Sequence, residues 1–476
     1  MAPRVAIIGA GFGGLCMAIQ LERAGLSSYT VFEKAGDLGG TWRDNSYPGA
    51  GCDIPSHLYS YSFEKYASWT RRYPEQPEIL GYLEQCADKY DVRRKIRFNT
   101  EVLSATYADA SWQIRTAGGT ETFDVVVISV GQLNRPRMPD IPGMDDFEGT
   151  CFHSARWNHE HDLTGRRVAV IGNGSSAAQF IPRIAERVEH LDVFQRTPNW
   201  VIPKPDAAFG PLTRLAFHYV PGLQRAYREW IYRYAEGTLY PALAQGWSTG
   251  LLKKRAMDHL EAQVPDPGLR EKLTPGYPPG CKRVVIDSSF YPALTRSNVD
   301  VVTDRIVRVA AKGVETAEGL READTIIYAT GFRSTEFLSP IEVQGRDGVS
   351  LTRQWHSGAE AYLGISVPNF PNLFLLYGPN TNLGHNSIVF MIECQVNHVL
   401  SCLPYIRKHG TIEVRPEAMA AWTRQLEAAM GRMVWGNGCQ SWYKTAEGRV
   451  TNNWPGPTTL YRRLTARPPL PAYSLG

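Results

Sequence analysis

The chain has 476 residues, 43% of them hydrophobic and 21% charged, an ordinary globular balance that corresponds to about three domains. Disorder, collagen and coiled coil are excluded as overall classes, since 43 glycines and 32 prolines exceed the usual share but stay well short of low-complexity levels. The net charge is +4 with arginines scattered rather than gathered in a stripe, so no nucleic-acid partner is expected, and no run of 18 apolar residues exists to span a membrane.

The N-terminus opens on an apolar run, RVAII at residues 4–8, which reads as a buried parallel strand. It is too short for the core of a signal peptide, and a cytoplasmic location is expected. Gly9-Ala10-Gly11-Phe12-Gly13-Gly14 follows, then an apolar-periodic helix. This is G-x-G-x-x-G between strand and helix, the context in which the motif binds a dinucleotide. Gly9 permits the turn, Gly11 lets backbone approach a pyrophosphate, and Gly14 lets the helix pack close to the strand. A second strand at 29–32 ends at Glu33, where an acid that binds ribose is expected. Residues 123–131, FDVVVISVG, form a further strand ending in glycine.

Residues 166–171, RRVAVI, repeat the design. Gly172-Asn173-Gly174-Ser175-Ser176-Ala177 is a G-x-G-x-x-A ahead of a helical pattern. The next strand ends Val193-Phe194-Gln195-Arg196, which aligns with Val31-Phe32-Glu33-Lys34. The acid has become Gln195 and an arginine follows. An acid would repel a 2′-phosphate, whereas Arg196 with the nearby Thr197 hydroxyl would pair with it. The second unit is therefore expected to take NADPH, and the first the ADP half of FAD. Two such folds in one chain point to electron transfer between a nicotinamide and a flavin.

Residues 209–247 hold nine aromatics in 39 positions. Leu223, Tyr227, Trp230, Ile231 and Tyr234 fall on one helical face, with Arg225, Arg228, Glu229 and Arg233 elsewhere, so the spacing predicts an amphipathic helix. The segment is expected to pack on the NADPH domain. The same features suit a lid over a bulky apolar substrate or a surface that rests on membrane. Residues 324–332, DTIIYATGF, read as a strand that returns the chain between domains, and 371–378 as a buried strand before a long helix from about Ser387. The eight cysteines (16, 52, 86, 151, 281, 394, 402 and 439) fall in no CxxC or other ligand spacing. They are expected to be reduced core thiols, with no metal.

Residues 147–158, FEGTCFHSARWN, resemble the F-x-G-x-x-x-H-x-x-x-W-(P/D) fingerprint of the type I Baeyer–Villiger monooxygenases, within the class B flavoprotein monooxygenases. Phe147, Gly149, His153 and Trp157 match, and Asn158 stands where the family has Pro or Asp. A second family motif, G-G-x-W-x-x-x-x-(F/Y)-P-G-x-x-x-D, is similar to Gly39-Gly40-Thr41-Trp42 through Tyr47-Pro48-Gly49 to Asp53. The resemblance continues through Lys282-Arg283, Ala329-Thr330-Gly331-Phe332, Gly378-Pro379-Asn380-Thr381 and the tail SWYKTAEGRVTNNWPG. It implies an FAD-dependent enzyme that consumes NADPH and O2. Through a flavin C4a-peroxide, one oxygen is inserted next to a ketone carbonyl, giving an ester or lactone.

By this resemblance Arg283 stabilises the peroxy anion without protonating it, since arginine is never neutral in proteins. Asp53 holds Arg283 in place, and these two are the expected catalytic residues. Gly40, Thr41 and Trp42 resemble the stretch that lies against the flavin ring. With Gly9, Gly11, Phe12, Gly14, Glu33 and Asp53 they make the expected FAD set. Gly172, Gly174, Ser175, Ser176, Arg196, Thr197 and Lys282 make the NADPH set, and Trp442 is placed like a tryptophan that approaches the nicotinamide. His153 and Trp157 are implied at the hinge between domains. The expected partners are a hydrophobic ketone and O2, and the expected state is monomer or homodimer. The alternatives are an N- or S-oxygenating flavin-containing monooxygenase and a flavin-binding relative without turnover. A disulfide reductase is set aside, because Cys52 has no cysteine within thirty residues.

The fold expected is α/β, with two Rossmann-like dinucleotide-binding domains. Residues 1–145 and 340–476 are assigned to the FAD domain. Residues 150–208 and 276–333 are assigned to the NADPH domain, with a helical insertion at 209–275.

Overall fold

In the computed structural model, which describes residues 2–436, 439 and 441–476, two five-stranded parallel sheets dominate. The first runs Leu373–Leu375, Val125–Ile128, Val5–Ile8, Tyr29–Phe32, Ile96–Arg97. The second runs Thr150–His153, Thr325–Tyr328, Arg167–Ile171, His190–Phe194, Val299–Val302. Each places the strand before its glycine loop at the centre, so the two are built to one Rossmann-like plan. They differ in one respect. The edge strand Thr150–His153 precedes its sheet in the chain, whereas Leu373–Leu375 arrives after the whole second sheet.

The central strands are apolar throughout because both faces are covered. Val5 and Ile7 pack against the Phe12–Arg23 and Ile388–His409 helices. Ala6 and Ile8 face a meander of Val102–Ala108, Ser111–Thr116 and Gly119–Phe123. In the second unit Val168 and Val170 meet the Ser175–Ile184 helix, and Ala169 and Ile171 face a meander of Ile306–Ala310, Gly313–Thr316 and Gly319–Glu322. Each such fully buried Val or Ile contributes about 1.5–3 kcal/mol. The meanders carry little contiguous signal in the sequence. Strands such as Gly319–Glu322 are largely exposed and carry no apolar alternation.

The two glycine turns are equivalent in detail. Gly9 has φ +101° and Gly172 φ +112°, and a Cβ on either would strike the carbonyl at the end of its return strand, 2.5 Å from the oxygen of Ser129 and 2.4 Å from that of Ala329. The segments that carry the chain between the sheets run side by side. Pro136 bridges Phe332, and Arg137 N donates to the Gly331 carbonyl at 2.8 Å.

Two expectations need correction. The helix Leu223–Tyr234 forms where predicted, but its inward face does not follow the apolar stripe. Trp230 and Tyr234 are 52% and 44% exposed, while Tyr232 is buried. Arg228 reaches inward because its Nη1 finds the carbonyls of His57 (2.6 Å) and Ser60 (2.9 Å). Through these bonds the helix docks on segments of the first unit, not on the NADPH side where it was expected; the Thr249–Gln263 and Pro267–Leu273 helices pack there, by Leu260 and Leu273. The cysteines also differ. Cys281 and Cys439 form a disulfide, with Cα atoms 6.2 Å apart, across a separation of 158 residues that no spacing rule reveals. Cys151 is exposed, and the other five are buried free thiols.

The insertion is also pinned by Glu236. Its carboxylate accepts from His385 Nε2 (3.1 Å), Asn386 Nδ2 (2.8 Å), and Thr458 N (3.0 Å) and Oγ1 (2.7 Å). Although burial opposes the charge, these donors hold its carboxyl below the usual glutamate range.

Burial holds the imidazoles of His57 and His398 down at about 4, so both stay neutral in the fold. Unfolded, each protonates near its ordinary value of about 6.5. Stability is therefore expected to fall as pH drops from about 6.5 to 4, by up to about 1.4 kcal/mol per pH unit for each histidine. Melting temperatures across that range check it; a flat profile would refute it. Glu236→Gln is expected to cost about 1–3 kcal/mol at pH 7. Its deficit should shrink as pH falls below the ordinary glutamate value, where the unfolded wild-type chain takes up a proton that the folded carboxylate still refuses, as chemical denaturation at pH 7 and pH 4 would read out.

Candidate active site

A cavity of about 550 Å³ opens where the carboxyl ends of both parallel sheets meet. Its walls include Gly9, Gly11, Phe12, Glu33, Gly40, Thr41, Trp42 and Asp53 from the first unit. Gly174, Ser175, Ser176 and Arg283 come from the second, and Trp442 from the tail. Thirteen of the sequence-predicted site residues thus share one space. Gly14 and Gly172 stand behind the loops they shape. Arg196, Thr197 and Lys282 lie off the cavity wall, beyond the second loop.

The walls suit dinucleotides. Neither the Phe12–Arg23 nor the Ser175–Ile184 helix has a side-chain N-cap or an acid in its first turn, so neither start is capped from within its own helix. At the first loop Gly11 and Gly40 face each other backbone to backbone. A Cβ on Gly40 would come within 3.1 Å of the Gly11 Cα, and so would narrow the cradle. Glu33, at its strand end, accepts from Ala10 N at 2.8 Å and Ala35 N at 3.0 Å and pairs with Arg43 at 3.2 Å. It therefore braces the loop as well as lining the cavity. Trp42 donates Nε1–H to the Tyr59 hydroxyl at 3.1 Å.

At the second loop, Asn173 Nδ2 donates to Gln195 Oε1 at 2.8 Å and to the Thr197 carbonyl at 3.0 Å. Gln195 is thereby committed to the scaffold, which leaves Arg196 exposed. Burial first, and the Arg196 charge second, hold the Lys282 ammonium below its ordinary pKa. Two cations that repel each other beside the second loop could hold a further anion.

Asp53 and Arg283 form a bidentate pair within the cavity wall. Arg283 Nη2 donates to Asp53 Oδ1 and Oδ2, both at 2.7 Å, and Nε donates to Oδ2 at 3.1 Å. The side chains are 28% and 17% exposed. Asp53 raises the Arg283 pKa further above its already high ordinary value, so the guanidinium keeps its protons. The segment that carries Asp53 leans on the second unit: Gln179 Oε1 accepts from the Tyr47 hydroxyl at 2.9 Å, and Gln179 Nε2 donates to the Gly51 carbonyl at 2.9 Å.

His153 is buried, and its Nδ1 accepts from Ala155 N at 3.1 Å, with its ring 6.0 Å from Phe332. It sits beside the crossing segments and outside the cavity wall. Asn158 Oδ1 accepts from Glu160 N at 3.1 Å, a bond that an Asp in its place could also make. Cys52 is the only one of the eight cysteines that lines the cavity, so no dithiol faces it.

Several residues escaped the sequence reading. Tyr377 lines the cavity with φ +59°, a left-handed backbone that costs a side chain of this size about 1–3 kcal/mol. It is held by Gln395 Oε1, which accepts from its N–H at 2.8 Å, and by Gln132 Nε2, which donates to its carbonyl at 3.0 Å. Its hydroxyl donates to Asn382 at 2.7 Å, and Asn382 donates to Asn453 Oδ1 at 2.7 Å. Asn452 Nδ2 donates to Gln132 Oε1 and to the Ser334 carbonyl, both at 2.9 Å. The Thr451-Asn452-Asn453 run of the tail is thus a buried amide clamp on two cavity loops. Buried amides at these positions are the only signal, and burial is not readable from the chain.

Among the described residues one cluster has metal-ligand spacing: His190, Asp192 and Asp300. Arg321 already faces both carboxylates, at 3.5 and 3.1 Å.

Residues 6–220 match the family described as pyridine nucleotide-disulphide oxidoreductase. Over 479 residues the chain is 42% identical to a Baeyer-Villiger monooxygenase of Streptomyces coelicolor, covering 99% of this chain and 92% of that protein. Among solved structures it is similar to an oxidized steroid monooxygenase bound to NADP, with TM-score 0.86 and 33% identity over 98% of this chain and 97% of that one. It is also similar to OTEMO in complex with FAD and NADP, with TM-score 0.87 and 29% identity over the whole of both chains.

Proposed function

The chain belongs to the Baeyer–Villiger monooxygenases, and from that membership we propose that it converts a hydrophobic ketone to an ester or lactone, with O2 as oxidant. It is an NADPH-dependent flavin enzyme whose cofactors are FAD and NADP. Residues 1–145 and 340–476 are assigned to FAD, residues 150–208 and 276–333 to NADPH, and 209–275 to the insertion. Bound FAD would activate O2 with electrons from NADPH; the protein's own part is to hold both nucleotides, exclude water and place charge.

The Asp53–Arg283 pair in the cavity wall carries this reading. Oxygenation of a carbonyl builds negative charge on oxygen, and a donor that gave up its proton would quench the nucleophile. Arg283 can donate from Nη1 and Nη2 without releasing a proton, because Asp53 holds its pKa up. Asp53 orients the guanidinium and is its positioning partner. Ile54, Leu383, Ile388 and Ile392 line the same cavity as the pair, apolar walls that suit a hydrophobic ketone. No residue of 209–275 lines the cavity; the insertion stands behind its wall, where Asn386 donates to Glu236 and Ile54 shares a cluster with Ile231 and Tyr232. Gly9, Gly11, Phe12, Glu33 and Gly40–Trp42 would hold FAD. Gly174–Ser176 would hold the NADPH pyrophosphate, Arg196, Thr197 and Lys282 its 2′-phosphate, and Trp442 would face the nicotinamide.

Incubation with NADPH, O2 and a mixed panel of ketones, amines and sulfides is expected to yield esters or lactones; N-oxides or sulfoxides alone would defeat the assignment. Arg283→Ala should stay yellow and lose ester formation by about 10²–10³-fold or more while still consuming NADPH slowly. Retained ester formation would remove Arg283 from the mechanism. Arg196→Ala should raise KM for NADPH by about tenfold or more, the loss of a charge-assisted phosphate contact, with little change for NADH. Equal effects on both would sink the 2′-phosphate assignment.

A further inference from the structure

Large apolar side chains exposed to solvent are concentrated in one part of the molecule. Of fourteen among the described residues, eight lie between 212 and 251, a stretch of 40 residues. The Pro211–Tyr219 helix shows why. Its one buried residue is Phe217, whose ring lies 4.4 Å from His57. On the opposite face Leu212, Leu215 and Tyr219, spaced i, i+3, i+7, are 82%, 54% and 70% exposed. The helix is thus apolar on both sides with only one side covered. Trp230 and Trp247, exposed at 52% and 67%, extend the apolar surface onto the segments that follow.

The charge of this segment indicates what covers it. Residues 211–255 hold seven Lys or Arg against two acids, a local charge of +5, so the remaining nine-tenths of the chain nets −1. Arg228 and Glu236 are both turned inward, which leaves six exposed cations against Glu229, with Arg233 paired to Glu229 and Lys254 to Asp258. Exposed Leu, Tyr and Trp on a basic helical segment is the composition of a helix that lies in the interface of an anionic bilayer. A second copy of this chain fits less well, because a two-fold contact would set +5 against +5. No helix among the described residues is long and apolar enough to cross a membrane, so any attachment through this face is peripheral.

We propose that the outer face of residues 211–251 is a docking surface for an anionic lipid bilayer, with Leu212, Leu215 and Tyr219 entering the headgroup region. This is independent of the ketone assignment, since vesicle binding needs no substrate.

The test is co-sedimentation of the FAD-loaded enzyme with vesicles of phosphatidylglycerol and phosphatidylcholine in equal parts, against phosphatidylcholine alone. Binding is expected on the anionic vesicles, at least about tenfold weaker on the neutral ones and in about 1 M salt. The Leu212→Ser/Leu215→Ser/Tyr219→Ser variant should lose it. Arg214→Glu/Arg225→Glu, which changes only exposed side chains, should weaken it at least about tenfold and stands in if the triple variant fails to fold. The proposal is overturned by absence of binding to anionic vesicles, by equal binding to neutral ones, or by a folded variant of either kind that binds like the wild type. A wild-type dimer that the triple variant dissociates, seen by light scattering, would instead make this face a contact between copies and also overturn it.

Discussion

Asp53 and Arg283 are 230 residues apart and belong to different Rossmann-like units, so their bidentate pair forms only where the two units are held in register. Much of the remaining architecture serves that register. Gln179, on the helix after the second glycine loop, grips the stretch that leads to Asp53. The paired crossing segments at Pro136 and Phe332 fix one side of the junction. Arg228 and Glu236 fasten the insertion to segments of the first unit. An ion pair of this kind is costly to leave half-made. Losing one partner strands a charge with little water to receive it.

The parts of this design that are local in sequence were legible from sequence. A glycine turn between a buried strand and a helix is a contiguous signal, and both loops, their strands and the Gln195-Arg196 edit lie where the pattern puts them. What stayed hidden depends on partners far along the chain. Helical periodicity placed Trp230 and Tyr234 inward, yet the helix rotates to give Arg228 its carbonyls and Tyr232 its bond to Thr458. Cys281 meets Cys439 only after the tail folds back. Glu236 looks like any surface acid until His385, Asn386 and Thr458 converge on it.

The tail illustrates the same point. Thr451-Asn452-Asn453 is polar throughout, yet its side chains are buried, with Asn452 donating to Gln132 and the Ser334 carbonyl and Asn453 Oδ1 accepting from Asn382. The amide bonds made here fix one arrangement of the loops they join. Here that arrangement includes Tyr377 in a backbone conformation it would otherwise avoid.

The position of Leu373–Leu375 has a consequence for biosynthesis. The second sheet is complete in the chain by Tyr328, whereas the first sheet, begun at Val5, waits for its edge strand and for the Ile388–His409 helix that covers it. At about 5–20 residues per second of translation, the N-terminal half-sheet has some tens of seconds without its final neighbours. The unit that starts later can therefore finish first on the ribosome, and the apolar face of Val5–Ile8 must wait unsealed in the meantime. A ribosome-bound chaperone would meet this protein at its beginning, long after that beginning has been made.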